Sequence, residues 1–272
     1  MLPAWSVLGS EEVRPDLADR VVAAVVWAPP PGFLGQFPRL KAILSIGTGL
    51  DHLDRDPSRP PHIEVAPRRD PASIRAMAEF VLMQVLMHHR RIGDAIADRR
   101  EKLWRPEIRG PLAGAAVSLL GYGPMGQASA KLLAQFGCAI TAWSRRSRPD
   151  AAVPMRAGWA ELDDMFRGAE VLVNLLPSTS ETRGLIDERR LSLMPRSAGL
   201  INVGRADILD QPALLRRLDS GDLSFASLDV AIQEPPQPDD PVWTHPRILL
   251  TPHVASQPDP TAYAEWAAAL LR

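Results

Sequence analysis

Cysteine is almost missing from this chain. Cys138 stands alone in 272 residues, so no internal disulfide can form and a reducing, cytoplasmic setting is expected. Charge of one sign is missing too. The formal net charge is −1, which gives no electrostatic reason to expect a nucleic acid or a membrane surface as partner. The longest apolar stretch, 21–28, is far too short to cross a bilayer and reads as a buried strand. The first residues lack the basic and apolar blocks of an export signal. His52, His62, His88, His89 and His245 do not fall into a metal-ligand spacing, so no metal is expected. Internal repeats and low-complexity tracts are absent.

What is present is an ordinary globular composition, 46% hydrophobic and 23% charged. The 27 prolines concentrate around loops such as 29–31, 57–67 and 235–241, between apolar runs, and mark rigid connections. Short apolar runs alternate with helical patterns. Strands are expected over 21–27, 40–46, 116–120, 139–143, 171–175, 199–203, 225–230 and 248–250. Helices are expected over 74–103, 125–136, 159–168, 211–220 and 261–271. The strand runs are continuous rather than alternating, as when both faces of a parallel sheet are covered. The pattern predicts an α/β fold: a doubly wound parallel sheet with a second, smaller lobe. Residues 76–253 would form the larger domain, and 1–75 with 254–272 the smaller one. The single long helix over 74–103 would bridge them.

The run 116–120 leads directly into Gly121-Tyr122-Gly123-Pro124-Met125-Gly126 and then a helix. This is the GxGxxG arrangement of a dinucleotide site. The first glycine permits the tight turn, the second lets backbone approach a pyrophosphate, and the third lets helix and strand pack closely. The helix N-terminus offers N–H groups and the positive end of its dipole, and Pro124 costs no needed donor in the first turn. The next strand ends at Ser144-Arg145-Arg146. An NAD site wants a carboxylate there for the ribose 2′-hydroxyl. Here Ser144 can donate to a 2′-phosphate and Arg145 and Arg146 can clamp it, so NADP (as NADPH) is the expected cofactor and NAD the less favoured one.

Three further residues follow strands, where open α/β sheets bind ligands. They are Arg205 after Asn202-Val203-Gly204, Glu234 after Asp229-Val230, and His253 after Thr251-Pro252. A 2-oxo acid presents a carboxylate beside a ketone. The planar fork of an arginine suits both, a histidine suits delivery of the proton that the new alkoxide needs, and a carboxylate bonded to that imidazole favours its charged form and fixes its tautomer.

With these motifs stand Leu175-Leu176-Pro177-Ser178-Thr179-Ser180-Glu181-Thr182-Arg183-Gly184, Ile201-Asn202-Val203-Gly204-Arg205, Glu234-Pro235 and Thr251-Pro252-His253-Val254-Ala255. In that order they resemble the D-isomer-specific 2-hydroxyacid dehydrogenases. Trp143-Ser144-Arg145, Pro241-Val242-Trp243 and the stretch from Leu40-Lys41 to Gly49-Leu50-Asp51 are most similar to the glyoxylate/hydroxypyruvate reductase A branch. The resemblance covers about residues 20 to 260. It implies a Rossmann domain beside a flavodoxin-like substrate lobe, here truncated, and a small 2-oxo or 2-hydroxy acid as substrate. It implies Arg205 as substrate anchor, His253 as proton donor and Glu234 as its partner. Asp229 would lie near the nicotinamide carboxamide, and Leu176, Pro177, Val203 and Gly204 would flank the ring. The Gly47-Thr48-Gly49 turn would offer N–H groups to the substrate carboxylate, Ser256 would touch substrate, and Trp104 would serve a homodimer contact.

The chain departs from the family pattern in places. Ala206 and Asp207 follow the arginine where glycine is usual, with an extra methyl and a charge that could disturb Arg205. Ala231 replaces an aromatic. About twenty residues precede Val21, too few for the family's first strand and helix, which predicts a partly exposed sheet edge. Two other readings stay open. One is a 3-hydroxyacid dehydrogenase, which Gly123-Pro124-Met125-Gly126 and Ser144-Arg145-Arg146 also suit, although about 115 residues precede the glycine loop and no lysine stands out as catalytic. The other is a cofactor-binding sensor or scaffold without turnover.

Overall fold

The computed structural model describes residues 14–27, 29–47, 49–50, 53, 56–67, 70–256 and 260–270. The chain divides into two compact units, Met1–Ser73 with Pro258–Arg272, and Ile74–Gln257.

In the first unit, a short helix α1 (Pro15–Ala18) precedes three parallel strands, β1 (Ala23–Val26), β2 (Ala42–Ser45) and β3 (Val65–Ala66), in the order β1-β2-β3. Leu34, Phe37, Leu40, Ile43, Leu53 and Ile63 form its core. Among the described residues β1 pairs with β2 alone, and its Val25 is 48% exposed. Asp70 caps helix α2 (Pro71–His89) by accepting from the Ser73 N–H at 2.8 Å, with proline in the first turn where its missing N–H costs nothing.

The second unit is built on a seven-stranded, all-parallel sheet in the order β10-β9-β8-β7-β4-β5-β6. Its strands are β4 (Ala116–Leu120), β5 (Ala139–Ser144), β6 (Met155–Ala157), β7 (Val171–Asn174), β8 (Ala198–Asn202), β9 (Leu223–Leu228) and β10 (Ile248–Leu250). The chain runs outward from β4 to β6, returns to β7 on the other side of β4, and continues to β10. The order reverses between β4 and β7, so the doubly wound sheet has its switch point there.

Why the strand runs are continuous is plain from the two cores. Leu120, Leu172 and Leu200 enter one apolar cluster with Trp143, Met165 and Phe166. Their neighbours Leu119, Val171, Val173 and Ile201 enter a second cluster with Val81, Val85 and Leu133. Alternate residues point to opposite faces, and both faces are covered. Helix α4 (Pro124–Gln135) buries Gly126, Ser129, Ala130 and Leu133, an i, i+3, i+4, i+7 face. Cys138 packs beside the second cluster, and burial pushes its thiol up.

The single helix expected over 74–103 is two helices. α2 stops at His89, Arg91 takes a left-handed conformation at φ 50°, and α3 (Ile92–Arg100) starts afresh. The run His88-His89-Arg90-Arg91 closes α2, where the arginine charges favour the negative end of the helix dipole. Arg91 then turns its guanidinium to Asp94 and, at 3.3 Å, to Glu107. Facing the sheet, the His88 ring lies against Phe225, with ring centroids 5.9 Å apart. A Cβ on Gly199 would sit 2.8 Å from His88 Nδ1. The remaining helices are α5 (Leu162–Arg167), α6 (Glu188–Leu191), α7 (Gln211–Asp219) and α8 (Pro260–Leu270).

Candidate active site

Strand register decides where the candidate residues go. Trp143 pairs with Leu120, Leu120 with Asn174, Asn174 with Asn202, Asn202 with Leu228, and Leu228 with Leu250. These six residues form one row at the carboxyl edge of the sheet. One step beyond it stand Ser144, Gly121, Leu175, Val203, Asp229 and Thr251. The glycine loop, the basic run and the loops carrying Arg205, Glu234 and His253 therefore all leave a single edge.

At the switch point, Gly123 opens α4 in an extended conformation, with Pro124 next and no side chain capping the helix. The first-turn N–H groups thus have no side-chain acceptor of their own, as an anion site requires. Gly126 is held to glycine by packing: a Cβ there would lie 2.1 Å from the Gly121 carbonyl oxygen. Met125 is half-buried beneath the loop. This cradle fits a dinucleotide pyrophosphate, and Gly121, Gly123, Pro124, Met125 and Gly126 would hold it.

Beside it, Ser144 Oγ donates to the Arg146 carbonyl at 2.5 Å. Its proton therefore serves the local turn rather than pointing outward as a phosphate donor. Arg145 forms a close ion pair with Glu181, and Arg146 is exposed.

Asn174 and Asn202, both fully buried, end β7 and β8. Asn174 Nδ2 donates to Asn202 Oδ1 at 2.9 Å. Asn174 Oδ1 accepts from the Leu176 N–H at 3.2 Å, and Asn202 Oδ1 accepts from the Gly204 N–H at 3.2 Å. Asn202 Nδ2 donates to the Arg205 carbonyl at 3.2 Å. One amide pair thus fixes two loop backbones, 174–176 and 202–205. Gly204 has no room for a side chain, since a Cβ would come within 2.7 Å of the Leu176 carbonyl oxygen. Leu176 and Val203 are buried and Pro177 is exposed. Arg205 is extended, and its Nη1 donates to the Gly204 carbonyl at 2.9 Å.

Asp229, 2% exposed, organises the loop after β10. Its Oδ1 accepts from Thr251 Oγ1 at 2.7 Å and from the Val254 N–H at 2.9 Å, and its Oδ2 accepts from the Ala255 N–H at 2.9 Å. The His253 N–H donates to the Asp229 carbonyl at 2.9 Å. Between these anchors His253 adopts φ 53°, a left-handed conformation that a non-glycine residue holds only when its surroundings impose it. The expected place beside a nicotinamide carboxamide thus belongs to a carboxylate with three donors from its own chain.

The turn aims the imidazole at Glu234. His253 Nδ1 and Glu234 Oε2 are 2.9 Å apart. Glu234 Oε1 accepts from the Ala231 N–H at 3.1 Å, so position 231 acts here through its backbone. Asp207 lies beside Arg205 in sequence, but its carboxylate accepts from Ser178 Oγ at 2.6 Å and lies 3.5 Å from Arg183.

Gly47 and Gly49 belong to the first unit. The Gly47 N–H donates to Ser45 Oγ at 3.1 Å. Thr48 lies outside the described residues. Ser256, half-buried, follows Ala255 in the histidine loop. Among the described residues no group of three or more His, Cys, Asp or Glu could hold a metal, and no helix is long and apolar enough to cross a membrane.

Sequence reasoning passed over Asn174, Thr251 and the clamping role of Asp229. A signal for the asparagines was present: each is the one amide at the end of an otherwise apolar buried run, at the same end of adjacent strands.

The chain is similar to known proteins in sequence and in fold. Residues 82–255 match the D-isomer specific 2-hydroxyacid dehydrogenase, NAD binding domain. Glyoxylate/hydroxypyruvate reductase A of Klebsiella pneumoniae subsp. pneumoniae is 35% identical over 238 residues, 86% of this chain and 76% of that protein. A D-isomer specific 2-hydroxyacid dehydrogenase from Xanthobacter autotrophicus Py2, solved with NADPH and MES, superposes with a TM-score of 0.88 at 36% identity, over 93% of this chain and 80% of that one. The NADPH-dependent glyoxylate/hydroxypyruvate reductase of Sinorhizobium meliloti, solved with NADP and sulfate, gives 0.85 at 31% identity, over 92% and 79%.

Proposed function

Because this chain belongs to the D-isomer-specific 2-hydroxyacid dehydrogenase family, we propose that it reduces a small 2-oxo acid of the glyoxylate or hydroxypyruvate class to the 2-hydroxy acid, with NADPH as preferred cofactor. One observation carries the reading: a histidine bonded to a carboxylate at 2.9 Å, on the sheet edge that also bears the glycine loop and Arg205.

The chemistry follows from those groups. When bound, the nicotinamide supplies the hydride. The Arg205 fork holds the substrate carboxylate and polarises the ketone. Neighbouring parallel strands lie about 4.8 Å apart, so the loops after β8 and β10 start about 10 Å from each other, a span that one arginine side chain and a small substrate can fill. His253 Nε2, the nitrogen turned away from Glu234, delivers the proton to the forming alkoxide. Glu234 fixes the orientation of the ring and its tautomer. Gly47, Thr48, Gly49 and Ser256 complete substrate binding in this reading, by resemblance. Leu176, Pro177, Val203 and Gly204 would flank the nicotinamide, and Arg145 and Arg146 would select the phosphorylated cofactor, with Ser144 holding their turn through its bond to the Arg146 carbonyl.

The same reading takes the protein as a cytoplasmic homodimer. Support for the second copy comes from the wholly exposed segment 101–111, where Trp104 is 94% and Ile108 97% exposed, an apolar display that a second copy would cover.

The test is absorbance-monitored NADPH oxidation across 2-oxo acids from glyoxylate to phenylpyruvate. Turnover with the smallest members is expected. Cofactor binding with no turnover on any of them would leave a sensor or scaffold instead.

A further inference from the structure

Arg145 and Glu181 leave strands that are not neighbours. Arg145 stands just past β5, and Glu181 lies on the loop after β7. Between those strands runs β4, which ends in the glycine loop. Yet the two side chains form a close ion pair, Arg145 Nη1 to Glu181 Oε2. The pair spans two strand spacings, about 10 Å of sheet edge, from one flank of the glycine loop to the other.

Glu181 is not on a loose tether. Its N–H donates to Thr179 Oγ1 at 3.3 Å, the Thr179 N–H donates to Thr182 Oγ1 at 2.8 Å, and Thr182 Oγ1 donates to the Pro177 carbonyl at 2.6 Å. This compact turn presents the carboxylate toward the β5 side. The guanidinium read as a 2′-phosphate ligand therefore already holds an internal anion.

Resting on the NADPH reading above, we propose that Glu181 competes with the cofactor's 2′-phosphate for the Arg145 guanidinium, and so sets how sharply the protein separates NADPH from NADH. A phosphate carries more charge than a carboxylate and accepts the guanidinium fork at least as well, so it displaces Glu181. The displaced carboxylate gives up its ion pair for solvent, and that loss is subtracted from the binding of the phosphorylated cofactor. A 2′-hydroxyl makes no such claim on Arg145, and NADH leaves the pair closed. Glu181 thus weakens the binding of the phosphorylated cofactor selectively.

The experiment is fluorescence titration of NADPH and NADH against wild type, Glu181→Gln, Arg145→Gln and the double variant. Glu181→Gln should tighten NADPH by about two- to five-fold, the range an exposed ion pair is worth, and leave NADH unchanged. In the Arg145→Gln background the same substitution should do nothing. An unchanged NADPH-to-NADH ratio in Glu181→Gln overturns the competition. Equal tightening of both cofactors also overturns it, because the pair would then be a steric gate. Wild-type protein that binds NADH as tightly as NADPH overturns the cofactor reading itself, whereas a wild-type preference that Glu181→Gln leaves unmoved overturns only the competition.

Discussion

Replacing Asp229 by asparagine separates two roles that the sequence could not distinguish. The carboxylate accepts one hydroxyl and two backbone N–H groups, all from the loop that carries His253. An amide of the same shape offers only one oxygen. With that oxygen toward Val254, its NH2 faces the Ala255 N–H; flipped, the NH2 faces the Val254 N–H. Either way a buried donor meets a donor, and the surviving bonds lose their charge assistance. Hydrogen bonds to charged groups are worth about 1.5–3 kcal/mol, and a stranded buried donor costs a similar amount. The loss should therefore be about 2–3 kcal/mol, a fall of roughly 4–5 °C in melting temperature for a chain of this size. The left-handed turn at His253 then has fewer restraints, and a shift of about 1 Å in the proton donor costs on the order of 10²-fold in rate. Calorimetry, steady-state kinetics and cofactor titration together read the result. A lower melting temperature and a lower kcat, with cofactor Kd kept within about twofold, is the expected pattern for a clamp. Wild-type stability and kcat would refute the reasoning. So would a large loss of cofactor affinity at unchanged kcat, which would make Asp229 a nicotinamide ligand.

His253→Asn should lower kcat by about 10²–10⁴-fold, the usual worth of a general acid, with NADPH affinity retained; near-normal turnover removes the histidine from proton transfer. Arg205→Lys should raise KM for glyoxylate and hydroxypyruvate, because a point charge does not reproduce the fork, and an unchanged KM counts against it. Burial, with the nearby His89, Arg109 and Arg91, pushes the His88 imidazole down to about 4. The unfolded chain then binds the proton more readily than the folded one, so stability present above pH 6.5 is lost as pH falls toward 4. The loss is at most about 2 kcal/mol at pH 5, since the ring is partly accessible. Urea unfolding of wild type and His88→Gln at pH 5 and 7 should show the dependence shrinking in the variant; identical slopes would exclude His88 as its source.

Much of the large unit was legible because its strands are buried on both faces. Runs such as Val171-Leu172-Val173 leave no polar face, and the glycine loop carries its own punctuation. β6 escaped notice because Met155-Arg156-Ala157 lies at the sheet edge with every residue at least partly exposed, so no apolar run marks it. β3, two residues long, leaves even less trace. The break at Arg91 was obscured because the left-handed position itself is an arginine and not a glycine, and its basic residues read equally well as a solvated helix end. Arg205, Glu234 and His253 could be named from residue type and place after strands. The partners of Asp229 and Arg145 could not: they come from 22 to 36 residues away in the chain, and which side chain meets which is decided by loop geometry.

The contact between Gly199 and His88 leaves a mark that should be visible in evolution. With 2.8 Å between a would-be methyl and the ring, the two positions share one fixed volume. In related chains, growth at 199 should therefore be accompanied by shrinkage at 88, and a lineage retaining the imidazole should retain the glycine. Such covariation would tie a helix to a strand start at the end of the sheet remote from the reactive loops, recording a packing limit where chemistry exerts no selection.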